Sequence, residues 1–89
     1  MDKVMTYYWK KSLIGSEDKI VARSYKATNG FIFDMGTAFD DRHPVSELRG
    51  FFVTRHTLCE TKKNLVYMQK QLQKEYPNSE IYTTEEEYR

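Results

Sequence analysis

The sequence predicts a small α+β domain: an antiparallel sheet of three to four strands in the order β-β-β-(β)-α-(β), with one amphipathic helix on one face. Three observations carry that expectation. Aromatic and β-branched residues crowd the first part of the chain in strand-length runs. An Asn29-Gly30 pair separates two of these runs, and apolar residues between Thr57 and Tyr76 recur at three- and four-residue intervals. Eighty-nine residues suffice for one hydrophobic core and leave no length for a second. The expected organisation is one domain over residues 1–83 followed by an acidic tail, 84–89.

The first strand is expected within Thr6 to Ile14, where aromatic and β-branched side chains dominate. Gly15-Ser16-Glu17-Asp18 has turn composition. Lys19 to Lys26 then alternates, with Ile20 and Ala22 on one face and Val21, Arg23 and Tyr25 on the other. Asn29-Gly30 is the pair that most readily takes positive φ in a tight hairpin, so Phe31 to Met35 reads as a third strand with Phe31, Phe33 and Met35 on one face. Gly36 to Pro44 reads as an irregular loop. A further strand is expected within Ser46 to Thr54, around Phe51-Phe52-Val53, and Gly50 inside it suggests a bulge or a close backbone approach.

The helix is expected over about residues 57–76. Thr57 with Glu60 three positions later fits a capping box, and Pro77 marks the stop. Leu58, Thr61, Leu65, Met68, Leu72 and Tyr76 form the apolar stripe, and Lys74 in the last turn suits the negative end of the helix dipole. Ile81-Tyr82 could add an edge strand, and Thr84 to Arg89 reads as a frayed turn or a tail.

Composition limits the function classes. With 39% hydrophobic and 15% aromatic residues the chain can fold, and its 30% charged residues suit a water-facing surface. A net charge of +1 is no footprint of a protein that coats DNA, although charge is unevenly spread. Three Asp lie within 34–42 and four Glu within 80–89, while 1–26 and 47–75 are basic. Cys59 is the single cysteine, which excludes an internal disulfide. Residues 1–11 hold no apolar run of signal-peptide length, and no stretch is long and apolar enough to span a membrane, so a cytoplasmic setting is expected.

No residue pattern specifies a reaction, and none calls for a cofactor. Cys59 would fall in the first helical turn with His56 just before it, a position that lowers a thiol pKa, but a nucleophile also needs an orienting group and an oxyanion site. The plainer reading is a small buried side chain. His43, His56, Cys59, Asp40 and Asp41 lack the spacing of a zinc site, and Asp34, Asp40 and Asp41 miss that of a calcium loop. A carboxylate pair among Asp34, Asp40, Asp41 and Glu47 has a solvated loop as its ordinary alternative.

The outer face of the helix is more informative. Lys63, Tyr67, Lys70 and Lys74 lie opposite Leu65 and Leu72, setting an aromatic ring among ammonium groups. Aromatics also alternate with bases in Tyr7-Tyr8-Trp9-Lys10-Lys11 and Tyr25-Lys26. One helix covers one face of a sheet, so some of Tyr7, Trp9, Tyr25, Phe52 and Tyr67 are expected to remain exposed as an interaction surface. The expected function is a non-enzymatic protein that binds and modulates a larger partner protein through these residues and can self-associate, in the style of small inhibitors encoded by phages and mobile elements. The alternatives are a module for single-stranded nucleic acid or a nucleotide, and a hydrolase or nuclease using Cys59, His56 or a carboxylate.

Overall fold

The computed structural model describes residues 3–12, 18–38 and 51–88. Five strands, β1 (Lys3–Lys10), β2 (Lys19–Ala27), β3 (Gly30–Ala38), β4 (Phe51–Cys59) and β5 (Ile81–Tyr88), and one helix, α1 (Lys62–Glu75), make up the fold. The sheet is antiparallel throughout, in the order β4-β3-β2-β1-β5. This is the expected α+β class with one strand more than expected. Between β2 and β3 the chain reverses through Thr28 and Asn29, and Ala27 pairs with Gly30. The hairpin forms where Asn29-Gly30 predicted it, but only Gly30 has positive φ, at 143°. A Cβ there would also lie 2.3 Å from the Cys59 carbonyl oxygen, so this position excludes a side chain on two grounds.

The largest departure concerns the helix start. Strand β4 pairs with β3 as far as Phe31↔Cys59, so Thr57, Leu58 and Cys59 are extended. A helix begun at Thr57 would leave backbone groups of Phe31 to Phe33 without partners on that side. The Thr57/Glu60 signature is therefore overridden by the ladder. Thr61 caps the helix instead, accepting the Asn64 amide at 3.2 Å. Leu65 and Leu72 are buried with Met68 and Tyr76 against them, whereas Leu58 is an exposed strand residue. At the far end Gln73 Nε2 donates to the carbonyls of Tyr76 and Ser79, both at 3.0 Å, and turns the chain after Pro77.

Other boundaries shift for the same reason. Strand β1 begins at Lys3 rather than Thr6 and ends at Lys10. Residues 84–88, expected as a tail, are the second half of β5, which pairs with β1 from Lys3↔Tyr88 to Lys10↔Ile81. Residues 36–38, read as the start of a loop, continue β3. Gly50 and the rest of the expected Gly36–Pro44 loop lie outside the described residues.

Helix α1 leaves the sheet at the Cys59 end of β4 and returns at the Ile81 end of β5, beside Lys10. Its path is thus diagonal. Fourteen residues give roughly 21 Å, close to the roughly 19 Å between the outer strands of a five-stranded sheet. Beneath it Tyr8, Val21, Ala22, Phe33, Met35 and Cys59 join Leu65 and Leu72 in one cluster. Phe31, Phe33 and Met35 share this side, as their spacing predicted. Gln69 Nε2 donates to the Tyr8 hydroxyl at 2.7 Å, and that hydroxyl also bonds Ser24 Oγ at 3.0 Å, which ties the helix to two strands through a buried polar chain.

A second cluster, Met5, Tyr7, Trp9 and Ile20 with Tyr25, Phe51 and Tyr82 at its margin, lies on the other side of the sheet. The alternation expected for β2 fails at a bulge. Ala22 faces Tyr8 and Ile20 faces Trp9, leaving Val21 as the extra residue. Val21 and Ala22 consequently both join the helix-side cluster while Ile20 joins the other, so Ile20 and Ala22 do not share a face. A second bulge, at Thr54 in β4, sits opposite Met35 and Gly36. There β4 comes so close that a Cβ on Gly36 would lie 2.0 Å from the Phe52 carbonyl oxygen.

Gly30→Ala is expected to destabilise the protein by about 2 kcal/mol or more, combining backbone strain with displacement of the Cys59 carbonyl. Urea denaturation of the two proteins measures the difference. A midpoint equal to the parent's would contradict the assigned turn.

Candidate functional site

Lys63, Tyr67, Lys70 and Lys74 fall within about 60° of arc at 100° per residue, on the side away from Leu65 and Leu72. The side chain of Tyr67 is 61% exposed and Val66 beside it is also exposed. All three lysines are exposed, and among the described residues none of them forms an ion pair. The first helical turn carries no acidic residue, and Glu75 is the one acidic residue in α1 against four lysines. The result is a cationic strip around one outward aromatic ring, held by a helix whose opposite face is in the core.

The strand residues expected to extend this surface do not join it. Tyr7 is 4% exposed and Trp9 1%, and Tyr25 is half-buried beside them. Both faces of the sheet hold buried apolar side chains, so Tyr8 and Trp9 are buried together and the exposure expected of Tyr7 and Trp9 is overturned. The same burial takes Tyr7 and Trp9 out of the apolar patch through which self-association was expected. Phe52 remains exposed, as Tyr67 does, but on the outer strand β4.

Trp9 and its neighbours have an internal role. The Trp9 indole stacks on Tyr82, with ring centroids 6.2 Å apart and planes 5° from parallel, and its Nε1–H donates to Thr84 Oγ1 at 2.8 Å. The Tyr82 hydroxyl donates to Asp18, which also accepts the Ser12 amide at 2.8 Å. Tyr82 is pushed up from its ordinary 10.0 to about 12, by burial first and by the bond to Asp18 second. Asp18 moves below its ordinary 3.8, chiefly through the Tyr82 hydroxyl and then the Ser12 amide. The fold thus favours a neutral Tyr82 and an ionised Asp18.

A charged network that sequence reading missed crosses three strands on the side away from the helix. Asp34 is 1% exposed; its Oδ2 accepts Arg23 Nε at 3.0 Å and its Oδ1 accepts His56 Nδ1 at 2.5 Å. The Arg23 guanidinium also lies 4.8 Å from the centre of the Phe51 ring. Since a carboxylate only accepts, the imidazole hydrogen sits on Nδ1. The register Arg23↔Asp34↔His56 assembles these groups, and that is a consequence of strand pairing rather than of sequence proximity. The available signal was a charged residue inside an apolar strand, Asp34 between Phe33 and Met35.

His56 and Cys59 stand on opposite sides of β4, because positions three apart in a strand alternate. Cys59 is buried on the helix side, and burial pushes its thiol pKa up rather than down. The helical-turn setting expected for Cys59 is therefore corrected, and the two residues do not form a nucleophile and base. No group of three His, Cys, Asp or Glu that could hold a metal occurs among the described residues. Asp40, Asp41, His43 and Glu47 lie outside them. No described helix is long and apolar enough to cross a membrane. The chain matches no family model, no curated protein and no solved structure.

Asp34→Ala is expected to cost about 1–3 kcal/mol, since it removes the buried acceptor of the part-buried Arg23 guanidinium and of the more exposed His56 ring; urea midpoints at neutral pH check it. The Asp18–Tyr82 contribution is present above pH 3.8 and below pH 10, fading as pH falls through the lowered Asp18 value or rises from about 10 to about 12. Tyr82→Phe should accordingly flatten both the acid and the alkaline decline of the midpoint. Curves that stay parallel across both ranges would show the pair contributes nothing.

Proposed function

We propose that this protein is a small non-enzymatic binder that docks on an acidic surface of a larger protein and modulates it by occupying that surface. The observation that carries the reading is Tyr67, 61% exposed at the centre of Lys63, Lys70 and Lys74 on a helix anchored by Leu65 and Leu72. A tyrosine in that position offers large contact area at small conformational cost, and it is a common interface anchor. Lysines around it speed encounter with an acidic partner and then lie at the rim. Binding needs no movement of the core, because the same helix face is exposed and already ordered. The separation of His56 from Cys59 favours binding over the hydrolase alternative. A cytoplasmic setting suits a lone buried thiol, and phage or mobile-element modulators share this general character.

The test is affinity purification from the cells that make the protein, comparing the parent with a Tyr67→Ala, Lys70→Glu variant before and after nuclease treatment. The variant should keep the parent's thermal midpoint, since both side chains are exposed. It should recover about tenfold less of one nuclease-resistant protein partner. Equal recovery by both proteins contradicts the proposal. Nuclease-sensitive recovery with steep loss of oligonucleotide binding at higher salt would replace it with recognition of single-stranded nucleic acid.

A further inference from the structure

We infer that the outer edge of β4, which pairs with no further strand among the described residues, is a strand-addition site for an extended segment of a partner protein in which apolar and acidic residues alternate. Among the described residues the sheet has two edges, β4 and β5, and they differ in kind. The β5 sequence, Ile81–Tyr88, includes Glu85-Glu86-Glu87, the sort of charge that keeps further strands away. The nine residues of β4 contain no Asp, Glu, Lys or Pro. Phe52 is 59% exposed and Leu58 53%. Nine residues span roughly 30 Å, ample for a bound peptide.

The diagonal helix adds a recess to this edge. By crossing from the Cys59 corner to the Ile81 corner it leaves uncovered the corner where the later part of β3 meets the start of β4. There a groove of about 310 Å³ is lined by Val21, Met35, Thr54, Arg55, Glu75 and Tyr76, with Arg55 on β4 itself and Glu75 at the far end of the helix. A strand added outside β4 directs alternate side chains to the groove side, where Arg55 lies, and the others to the side of His56 and Leu58. The groove side therefore offers apolar contacts and the Arg55 cation, and the other side offers Leu58 and the His56 imidazole. Arg55 is exposed, and its only described contact is a 4.0 Å approach to the Met35 sulfur.

A second copy of the chain fits this edge poorly. The bulge at Thr54 puts Phe52 and Leu58 on opposite sides of β4, since they pair with Thr37 and Ile32. An antiparallel β4–β4 pairing that brings Phe52 to Leu58 would set those two side chains on opposite sides and place Arg55 directly against Arg55, a like-charge pair. Charge complementarity therefore favours an acidic partner segment over self-pairing. The inference uses residues separate from Lys63, Tyr67, Lys70 and Lys74, so either surface can fail without the other.

The probes are a nine-residue peptide alternating valine and glutamate and its valine–lysine counterpart, titrated into the intact protein by NMR with amide hydrogen exchange. The glutamate peptide should slow exchange at alternate amides between Phe52 and Leu58 and bind about tenfold or more tightly than the lysine peptide. Arg55→Glu should reverse that preference. Perturbation elsewhere, equal binding of both peptides, or no binding of the glutamate peptide would overturn the inference. So would a concentration-dependent dimer abolished by Phe52→Ser, because it would assign the edge to a second copy.

Discussion

Backbone hydrogen bonds between β3 and β4 continue from Ala38↔Phe51 to Phe31↔Cys59, and this ladder sets the positions of the remaining elements. While β3 needs partners along its length, the chain cannot leave the sheet before Cys59. That delays the helix to Lys62 and starts it above one corner of the sheet. Because β5 occupies the far edge, the chain must then cross all five strands before it rejoins β1. A helix of this length makes that crossing on a diagonal and leaves the corner between the later part of β3 and the start of β4 uncovered. The groove beside Arg55 and the outward lysine strip both follow from that path.

The sheet holds apolar clusters on both faces, and two bulges allow it. Val21 lets β2 place neighbouring residues on the helix side while Ile20 packs against Trp9 on the other. Each face also carries a polar network in which the buried side chains have partners: Gln69–Tyr8–Ser24 under the helix, and Arg23–Asp34–His56 across the opposite face. Such networks contribute little net stability as pairs, but they are costly to break from one side. They penalise slipped registers, because a shift of β3 against either neighbour by one residue would turn Asp34 towards Leu65 and Leu72.

Charge is segregated in the same way as structure. Four lysines lie on α1 and the acidic run lies on β5, while β4 carries Arg55 and no acidic residue. The two surfaces proposed for binding both favour acidic partners. They differ in mechanism: the helix face offers side chains to a preformed surface, and the β4 edge offers backbone groups to an extended one.

Much of the fold was legible from local pattern. The α+β class, the Asn29-Gly30 reversal, the Phe31/Phe33/Met35 face, the Leu65/Leu72 stripe and the Pro77 stop all reflect preferences that neighbouring residues impose on one another. The lysine–tyrosine face was legible too, because helical spacing alone puts Lys63, Tyr67, Lys70 and Lys74 on one side. Tertiary pairing decided the rest. Thr57 to Cys59 became strand despite a capping signature, residues 84–88 became β5 despite their glutamates, and Tyr7 and Trp9 were buried despite lying on the side away from the helix. Asp34, Arg23 and His56 met only through register. In each case the deciding interaction joins residues far apart in the chain, through backbone hydrogen bonds or burial against another strand, and local spacing carries no information about either.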